Sequence, residues 1–500
     1  MGTNKNMAYI VAMIQSPSPA TSTTDNNASN KGLIRTIGLV TAILLVVSQM
    51  IGSGVFKKVT IMAAGLPSPT YIMLAWLIAG GVSMVGALTN SEVCGIIADP
   101  GGQYAYFRKM YGRFFAFLFG WASFAVIQSA TIASVAYVFA QSVNTVMPLP
   151  RLSPEMESYL LFGFLPIFNN LGVKGLTIIL IGGLTTINIL GVKYGSKVSD
   201  VLATLIAIAI IFIIITAFGS SKGSWDNITH DATEFSTGAG ANFGSLFSAL
   251  FPAMMAAFWA YEGWNNMGYL GGEIKKPERY IPLSLIIGVG FVMLLYTTVN
   301  LAYLYVLPVE QLVAISKDEN SIGAVAVMEA LLGNTGVIFV SSLILVATFN
   351  STNGVILTAS RLYYAMALDR LFFKQAAVCH PVNKTPSGSL ILQAVWSSIL
   401  VLSASFDILT DMLVFAAFIF YGAMAAGVFI LRSSMPNAHR PVRALGYPIL
   451  PAIFVLFCAA LVLNTLVVQT SQSLWGLALI GSGVPFYLYW QSIRKPVAEA

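Results

Sequence analysis

The chain has 500 residues, of which 57% are hydrophobic and 9% charged, and its mean hydropathy is +0.78. A soluble domain carries about 25% charged residues, so this composition excludes a water-soluble fold and indicates a protein that resides in a membrane. The formal net charge of +6 is no indication of a nucleic-acid partner. The three cysteines and three histidines are too scattered to indicate a disulfide framework or a metal site. We therefore expect no metal and no cofactor.

The N-terminal residues 1–32 are rich in Ser, Thr and Asn and have no sustained apolar pattern, which predicts a disordered cytoplasmic tail. From residue 34 onward, apolar stretches long enough to cross about 30 Å of hydrocarbon follow one another. The predicted spans are 34–64, 70–95, 113–146, 173–191, 198–218, 244–271, 281–307, 323–366, 388–405, 410–432, 446–468 and 473–491. They predict an all-α integral membrane protein with about twelve transmembrane helices and a short cytoplasmic C-terminal tail over 493–500.

Basic residues are distributed unevenly between the segments that connect these spans. If the N-terminus lies inside, twenty of the 26 lysines and arginines fall on inner segments and six on outer segments. Because basic loops stay on the cytoplasmic side, this bias predicts a multi-pass protein of the plasma or inner membrane with both termini in the cytoplasm. The same bias favours an even number of spans.

The first span is interrupted by Gly52-Ser53-Gly54. Each glycine inside a helix costs roughly 1 kcal/mol relative to alanine and lets the backbone leave helical geometry. Non-helical backbone at membrane depth persists only where it faces protein or a water-filled cavity. The motif is also compatible with close helix packing through small residues, so by itself it leaves both interpretations open.

The sixth span contains a second irregular segment, Trp259-Ala260-Tyr261-Glu262-Gly263. An acidic residue near the middle of a span costs about 2.5–3.5 kcal/mol on insertion scales, so Glu262 requires a function or a partner. The alternative to a functional acid is a buried carboxylate that a neighbouring helix satisfies.

The two irregular segments lie five spans apart, so each opens a set of five helices. This spacing is typical of transporters built from two inverted five-helix repeats (5+5) in which helices 1 and 6 are broken. It predicts a first repeat over 33–219, a second over 243–433 and two further helices over 434–492. In such a core, freed amide groups meet the substrate carboxylate and freed carbonyl groups accept hydrogen bonds from its ammonium group. A zwitterionic amino acid suits two opposed helix ends.

Four motifs occur in order along the chain. They are Gln49-Met50-Ile51-Gly52-Ser53-Gly54-Val55-Phe56, Pro100-Gly101-Gly102-Gln103-Tyr104-Ala105-Tyr106, Trp259 to Asn265 with Glu273 to Pro282 beyond, and Asn353-Gly354 with Thr358-Ala359-Ser360-Arg361-Leu362. Together they resemble the amino acid–polyamine–organocation superfamily, and the chain is most similar to its branch of L-type amino acid exchangers. The resemblance extends from about residue 34 to residue 490.

This resemblance implies alternating access with neutral L-amino acids as the cargo. It places the substrate carboxylate at the amides around Ser53 and Gly54, and the ammonium group near the carbonyls around Met50 and Trp259. It also gives Trp259 the position of an aromatic gate. The candidate substrate-binding residues are Met50, Ile51, Gly52, Ser53, Gly54, Trp259, Ala260, Tyr261, Glu262 and Gly263. Relatives that accept cationic amino acids have an acid at the position of Glu262, so the charge of the substrate stays open.

One departure from the family pattern concerns coupling. The branch usually carries a lysine in the fifth helix, where it stands in for the sodium ion of related symporters, and the resemblance puts Ile206 at that position. Oxygen ligands from Thr348, Ser351 and Thr352 could build a cation site instead. Hydroxyl groups in helices, however, more often bond to their own backbone.

A second departure concerns partners. Animal exchangers of this type join a glycoprotein subunit through a cysteine between helices three and four, whereas residues 148–172 contain no cysteine. We therefore expect a transporter of small-molecule amino acids in the lipid bilayer without a disulfide-linked heavy subunit.

The sequence leaves a second function open, namely a proton- or sodium-coupled symporter of amino acids or amines. The same fold would serve, since Glu262 could carry a proton. An intramembrane enzyme would need a nucleophile–base pair or a metal cluster, and no histidine lies in a predicted span. The sequence therefore predicts a transporter and not an enzyme.

Overall fold

The computed structural model describes residues 35–97, 101–162, 165–191, 195–270, 273–318 and 320–493. The predicted tails, 1–32 and the residues after Ile493, lie outside the described residues. Where the chain is described, it is helical and contains no β-strand beyond two isolated bridges. The prediction of an all-α membrane protein is confirmed.

The described helices are numbered in chain order. They are α1 (Leu39–Met50), α2 (Gly54–Gly65), α3 (Pro69–Ile96), α4 (Gln103–Tyr111), α5 (Arg113–Ala122), α6 (Gln128–Val146), α7 (Pro154–Glu157), α8 (Leu171–Leu190), α9 (Gly195–Gly219), α10 (Asp226–Thr229), α11 (Thr233–Thr237), α12 (Phe243–Tyr261), α13 (Pro277–Val306), α14 (Val309–Ser316), α15 (Gly323–Leu332), α16 (Asn334–Leu368), α17 (Ser387–Ser403), α18 (Phe406–Ser434), α19 (Ile449–Val468), α20 (Thr470–Gly481) and α21 (Gly483–Ile493).

Among the described residues, ten helical segments are long and apolar enough to cross a membrane, and they match predicted spans one to eight, ten and eleven. The shorter apolar helix α17 occupies the predicted ninth span, and α20 with α21 occupies the twelfth. The first and sixth spans are broken, as the sequence predicts. The boundaries of the two inverted repeats stay a prediction.

Two spans differ from their predicted course. The predicted eighth span is split at Gly333, whose φ of +61° ends α15 before the 35-residue helix α16 begins. A positive φ at a helix end favours glycine because other residues carry a steric cost there. In the third span, a π-helical segment, Ser123–Ile127, separates α5 from α6. Such segments occur frequently at functional sites.

The interior of the molecule is formed mainly by the first, third and tenth spans. In the third span, Arg113–Val146, 89% of the most apolar part is buried within the protein. In the fifth span, Ser199–Gly219, this share is 28%. Helix α12 packs against α2, and α13 packs against both α1 and α3. The residues around both breaks are therefore buried inside the bundle, whereas the beginning of the sixth span is exposed at Phe243 and Phe247.

Candidate substrate site

The break in the first span leaves the start of α2 open. Helix α1 ends at Met50, and α2 begins at Gly54 without a side-chain cap on its amide groups. The hydroxyl group of Ser53 is buried and has no hydrogen-bond partner among the described residues. The first amides of a helix lack intrahelical acceptors, and the helix dipole favours negative charge there. This end of α2 is therefore suited to bind a carboxylate.

The break in the sixth span falls at Glu262 and Gly263. Helix α12 ends at Tyr261, Glu262 is extended, and Gly263 has a φ of +107°. A 3-10 helix, Trp264–Leu270, continues the chain. A Cβ atom at residue 263 would lie 2.7 Å from the backbone oxygen of Gln49. Glycine is therefore required here both by the backbone angle and by the close approach of the first span.

The two breaks are in direct contact with each other. Gly263 lies against Gln49 at the end of α1, and Gly54 at the start of α2 lies against the backbone of Ala260. Any side chain on Gly54 would overlap Ala260. The structure thus brings the predicted residues of the two segments together, and no gap separates the backbones at these two points.

The carbonyl groups at the breaks already accept hydrogen bonds from other groups of the protein. The Met50 oxygen accepts hydrogen bonds from the hydroxyl of Tyr296, at 2.7 Å, and from the amide of Gly52, at 2.8 Å. A carbonyl oxygen has two lone pairs, so Met50 has no acceptor capacity left in this closed arrangement. The Trp259 oxygen accepts one hydrogen bond, from the amide of Glu262 at 3.2 Å.

Trp259, the predicted gate, is buried and packs edge-on against Phe406 at the start of α18. Their ring centroids are 6.1 Å apart with an interplanar angle of 82°. The indole N–H of Trp259 has no acceptor among the described residues. An edge-to-face pair of this kind is worth about 0.5–1.5 kcal/mol, so Phe406 helps to hold Trp259 in place.

Glu262 is buried, and a neighbouring helix satisfies it. The hydroxyl of Tyr421 on α18 donates a hydrogen bond of 2.5 Å to its Oε1 atom. Amide pairs surround this point: Asn90 donates to Asn265 at 2.6 Å, and Gln128 donates to Asn266 at 2.9 Å. Two internal cavities border this polar group, and each is large enough for about one water molecule.

The residues of the possible cation site have different surroundings. The hydroxyl of Thr348 donates to the Ile344 oxygen of its own helix at 2.6 Å, while that of Ser351 donates to the Gln49 oxygen at 3.4 Å. The buried Thr352 hydroxyl has no hydrogen-bond partner among the described residues. Ile206 is buried on α9, which packs against α1 and α16. Of the three hydroxyl groups, that of Ser351 is the one bonded to the first break.

Side chains from distant spans contact the predicted residues, and the sequence did not predict them. Tyr296 holds the Met50 carbonyl, Tyr421 holds Glu262, and Phe406 supports Trp259. The sequence feature that could have indicated them is a polar or aromatic side chain in an otherwise apolar span. Many such residues occur in this chain, so the signal does not single out these three.

An ion pair lies beside the point where the chain enters the first span. The Nε atom of Arg361 lies 2.7 Å from the Oε1 atom of Glu273. The backbone oxygen of Glu273 accepts hydrogen bonds from the amides of Thr36 and Ile37, each at 3.0 Å. The entry of the chain into the first span is thereby tied to the segment after the sixth.

Two broken helices that meet inside a membrane bundle are typical of secondary transporters. The model of the amino acid permease family matches residues 37–484 of the chain. The chain belongs to the amino acid permease family.

Three relatives show the range of similar proteins. The serine/threonine exchanger SteT of Bacillus subtilis (strain 168) is 30% identical over 476 residues, which cover 94% of this chain and 99% of the relative. The b(0,+)-type amino acid transporter 1 of Homo sapiens is 26% identical over 93% of this chain and 91% of its own length. The large neutral amino acids transporter small subunit 2 of Homo sapiens is 28% identical over 93% of this chain and 82% of its own length.

Proposed function

We propose that this chain exchanges neutral L-amino acids across a cell membrane by alternating access. The observation that carries the proposal is the contact between the two helix breaks, together with an uncapped helix start and a buried Ser53 hydroxyl that has no hydrogen-bond partner in the described part of the chain. The names of the relatives agree with this cargo, since one is a serine/threonine exchanger and another is a transporter of large neutral amino acids.

In the proposed pose, the substrate carboxylate binds the amides at the start of α2 together with the Ser53 hydroxyl. The ammonium group lies near the end of α12, where the Trp259 oxygen accepts one hydrogen bond from the described residues. Trp259 then covers the substrate and Phe406 supports it. Met50 lines this site but accepts no hydrogen bond from the ammonium group until Tyr296 or the Gly52 amide moves away.

The proposed orientation places both termini in the cytoplasm. Six basic residues fall on the outer segments, and three of them, Lys57, Lys58 and Lys174, are buried among helices and do not lie in loops. The inward bias of basic loop residues is therefore stronger than the sequence count indicates. This supports a multi-pass orientation in which the Arg361–Glu273 pair lies at the cytoplasmic end.

We further propose that the transporter works without a disulfide-linked subunit. Cys94 and Cys458 are buried, and Cys379 lies between α16 and α17, which is the cytoplasmic side in this orientation. None of the three would face a partner domain outside the cell.

The second candidate function is coupled symport, and the buried carboxyl group of Glu262 favours it. A carboxyl group inside a span can take up a proton when the membrane excludes its charged form. In that case uptake would follow an imposed pH gradient and would need no amino acid on the opposite side.

The deciding experiment uses purified protein in liposomes that are empty or preloaded with unlabelled amino acid. Uptake of labelled serine, leucine, alanine and arginine is measured with and without sodium and with imposed pH gradients. Exchange predicts uptake only into preloaded liposomes, whereas symport predicts uptake into empty liposomes that follows an ion gradient. Absence of uptake for every amino acid under all gradients would refute the proposed function.

A further inference from the structure

A π-helical segment, Ser123–Ile127, interrupts the third span. The amide of Gln128 donates to the oxygen of Ser123 five residues earlier, whereas an α-helix joins residues four apart. The extra residue in this turn rotates every later side chain of the span by about 100° relative to a continuous α-helix. The segment therefore determines which side chains of α6 face the centre of the bundle.

Side chains from two other spans bind the backbone of this segment. The hydroxyl of Tyr363 on α16 donates to the Ser123 oxygen at 3.2 Å. The indole N–H of Trp396 on α17 donates to the Ala125 oxygen at 2.9 Å. The ring of Phe124 packs against both donors, edge-on to Tyr363 at 5.4 Å between ring centroids and stacked on Trp396 at 6.0 Å. Because buried carbonyl groups need hydrogen-bond partners, these contacts stabilise the irregular turn.

The segment borders one of the two internal cavities beside the second helix break. The residues that line this cavity include Ser123, Ile127 and Gln128 of the third span, and Asn265, Asn266 and Tyr421. Tyr421 also binds Glu262, so the cavity adjoins the candidate substrate residues. The cavity is large enough for about one water molecule, which is the size of a hydroxyl group and much smaller than the side chain of leucine.

Three polar atoms in the wall of this cavity have no hydrogen-bond partner in the described part of the chain. They are Oε1 of Gln128, Oγ of Ser123 and Nε2 of Gln103, and none of these residues is more than 4% exposed. The Nε2 atom of Gln128 donates to Asn266 at 2.9 Å, which holds the amide group in place. A hydroxyl group can donate to Gln128 and accept from Gln103, whereas an aliphatic side chain would leave both buried atoms unpaired.

We propose that Tyr363 and Trp396 are positioning residues that hold the third span in its π-helical register. This register keeps Gln128 at the cavity, which binds the hydroxyl group of a substrate side chain. The inference rests on the proposed function and adds a substrate class, namely small neutral amino acids with a hydroxyl group. If the segment returned to an α-helix, Gln128 would rotate by about 100° away from the cavity, and the preference for a hydroxyl group would be lost.

The test compares L-serine with L-alanine, which differ only by the hydroxyl group. Each amino acid competes with labelled L-alanine for binding to detergent-purified protein, and both are then measured in liposome exchange. We expect the parent chain to prefer serine. The double variant Tyr363→Phe with Trp396→Phe should weaken serine binding by about three- to tenfold, the range for one hydrogen bond, and alanine binding by less than about twofold. A general loss of structure would weaken both amino acids alike.

A double-mutant cycle tests whether the two donors act through Gln128. Gln128→Leu alone should remove the same preference for serine, and its addition to the double variant should cause no further loss. Losses that multiply would contradict this action through Gln128. One matched control is Tyr364→Phe, since the Tyr364 hydroxyl on the same helix contacts Cys379. The other is Trp475→Phe at an exposed position of α20. Neither control should change the ratio of serine to alanine binding.

Monodisperse protein with an unchanged melting temperature shows that a variant is folded, and Tyr363→Phe alone serves if the double variant is not. A parent chain without preference for serine, an unchanged ratio in the folded variants, or an equal change in Tyr364→Phe would overturn the inference. If the binding ratio responds as expected but liposomes show no transport, the proposed function fails and the inference stands. Exchange with an unchanged ratio has the opposite meaning.

Discussion

Gly263 offers a direct test of the contact between the two broken helices. Gly263→Ala would place a Cβ atom on a residue with a φ of +107°, at 2.7 Å from the Gln49 oxygen. The unfavourable backbone angle costs about 1–2 kcal/mol and the overpacking about 1–3 kcal/mol. Together they destabilise the arrangement in which the two breaks are in contact by about 2–5 kcal/mol. Even the lower value corresponds to roughly 30-fold in an equilibrium constant.

We expect Gly263→Ala to bind amino acids at least tenfold more weakly, because the substrate is held where the two breaks meet. Binding to detergent-purified protein and exchange in liposomes would measure this loss. The matched control is Gly182→Ala in the middle of α8, where an added Cβ atom meets nothing within 4 Å. Wild-type binding and exchange in a folded Gly263→Ala protein would refute the proposed contact between substrate and breaks.

Three further substitutions test other parts of the structure. Ser53→Leu should abolish binding by filling the space at the freed amides, and unchanged uptake by a correctly inserted variant would contradict that role. Tyr421→Phe removes the hydrogen bond to Glu262 and should lower stability by about 1–3 kcal/mol in thermal unfolding. Glu92→Gln should cost about 3–5 kcal/mol, because the buried Glu92 carboxylate lies 2.7 Å from Arg432 and that pair would be broken.

Matched controls for these substitutions lie on exposed parts of the same chain. They are Ser471→Leu on α20, Tyr489→Phe on α21 and Glu155→Gln on α7. Each makes the same chemical change at an exposed residue and should leave stability within about 0.5 kcal/mol. A loss of stability in Glu155→Gln equal to that of Glu92→Gln would show that the Arg432 pair is not the cause.

Local composition was sufficient to predict the spans and the two breaks. A long run of apolar residues can be stable in a membrane only as a helix, so hydropathy locates the spans without knowledge of their packing. The two breaks contain residues that are unfavourable inside a membrane helix. Glycine (Gly52, Gly54 and Gly263) lowers helix stability, and the charge of Glu262 is costly in an apolar span. The prediction was incomplete at one point, because Gly333 splits the predicted eighth span. The helices on both sides of Gly333 are rich in apolar residues, so hydropathy does not indicate a break there.

The partners across the bundle were decided only by the tertiary structure. Lys57 and Lys58 counted in the sequence as outer positive charges, and the structure shows both buried over Phe406, about 350 residues further along the chain. Tyr421 likewise reaches Glu262 from another span. Contacts of this kind depend on the rotation and depth of each helix, which arise from the packing of all spans together. The sequence by itself determined where the spans form and that the first and sixth are broken, because those properties are local, and the fold determined which side chains meet at the breaks.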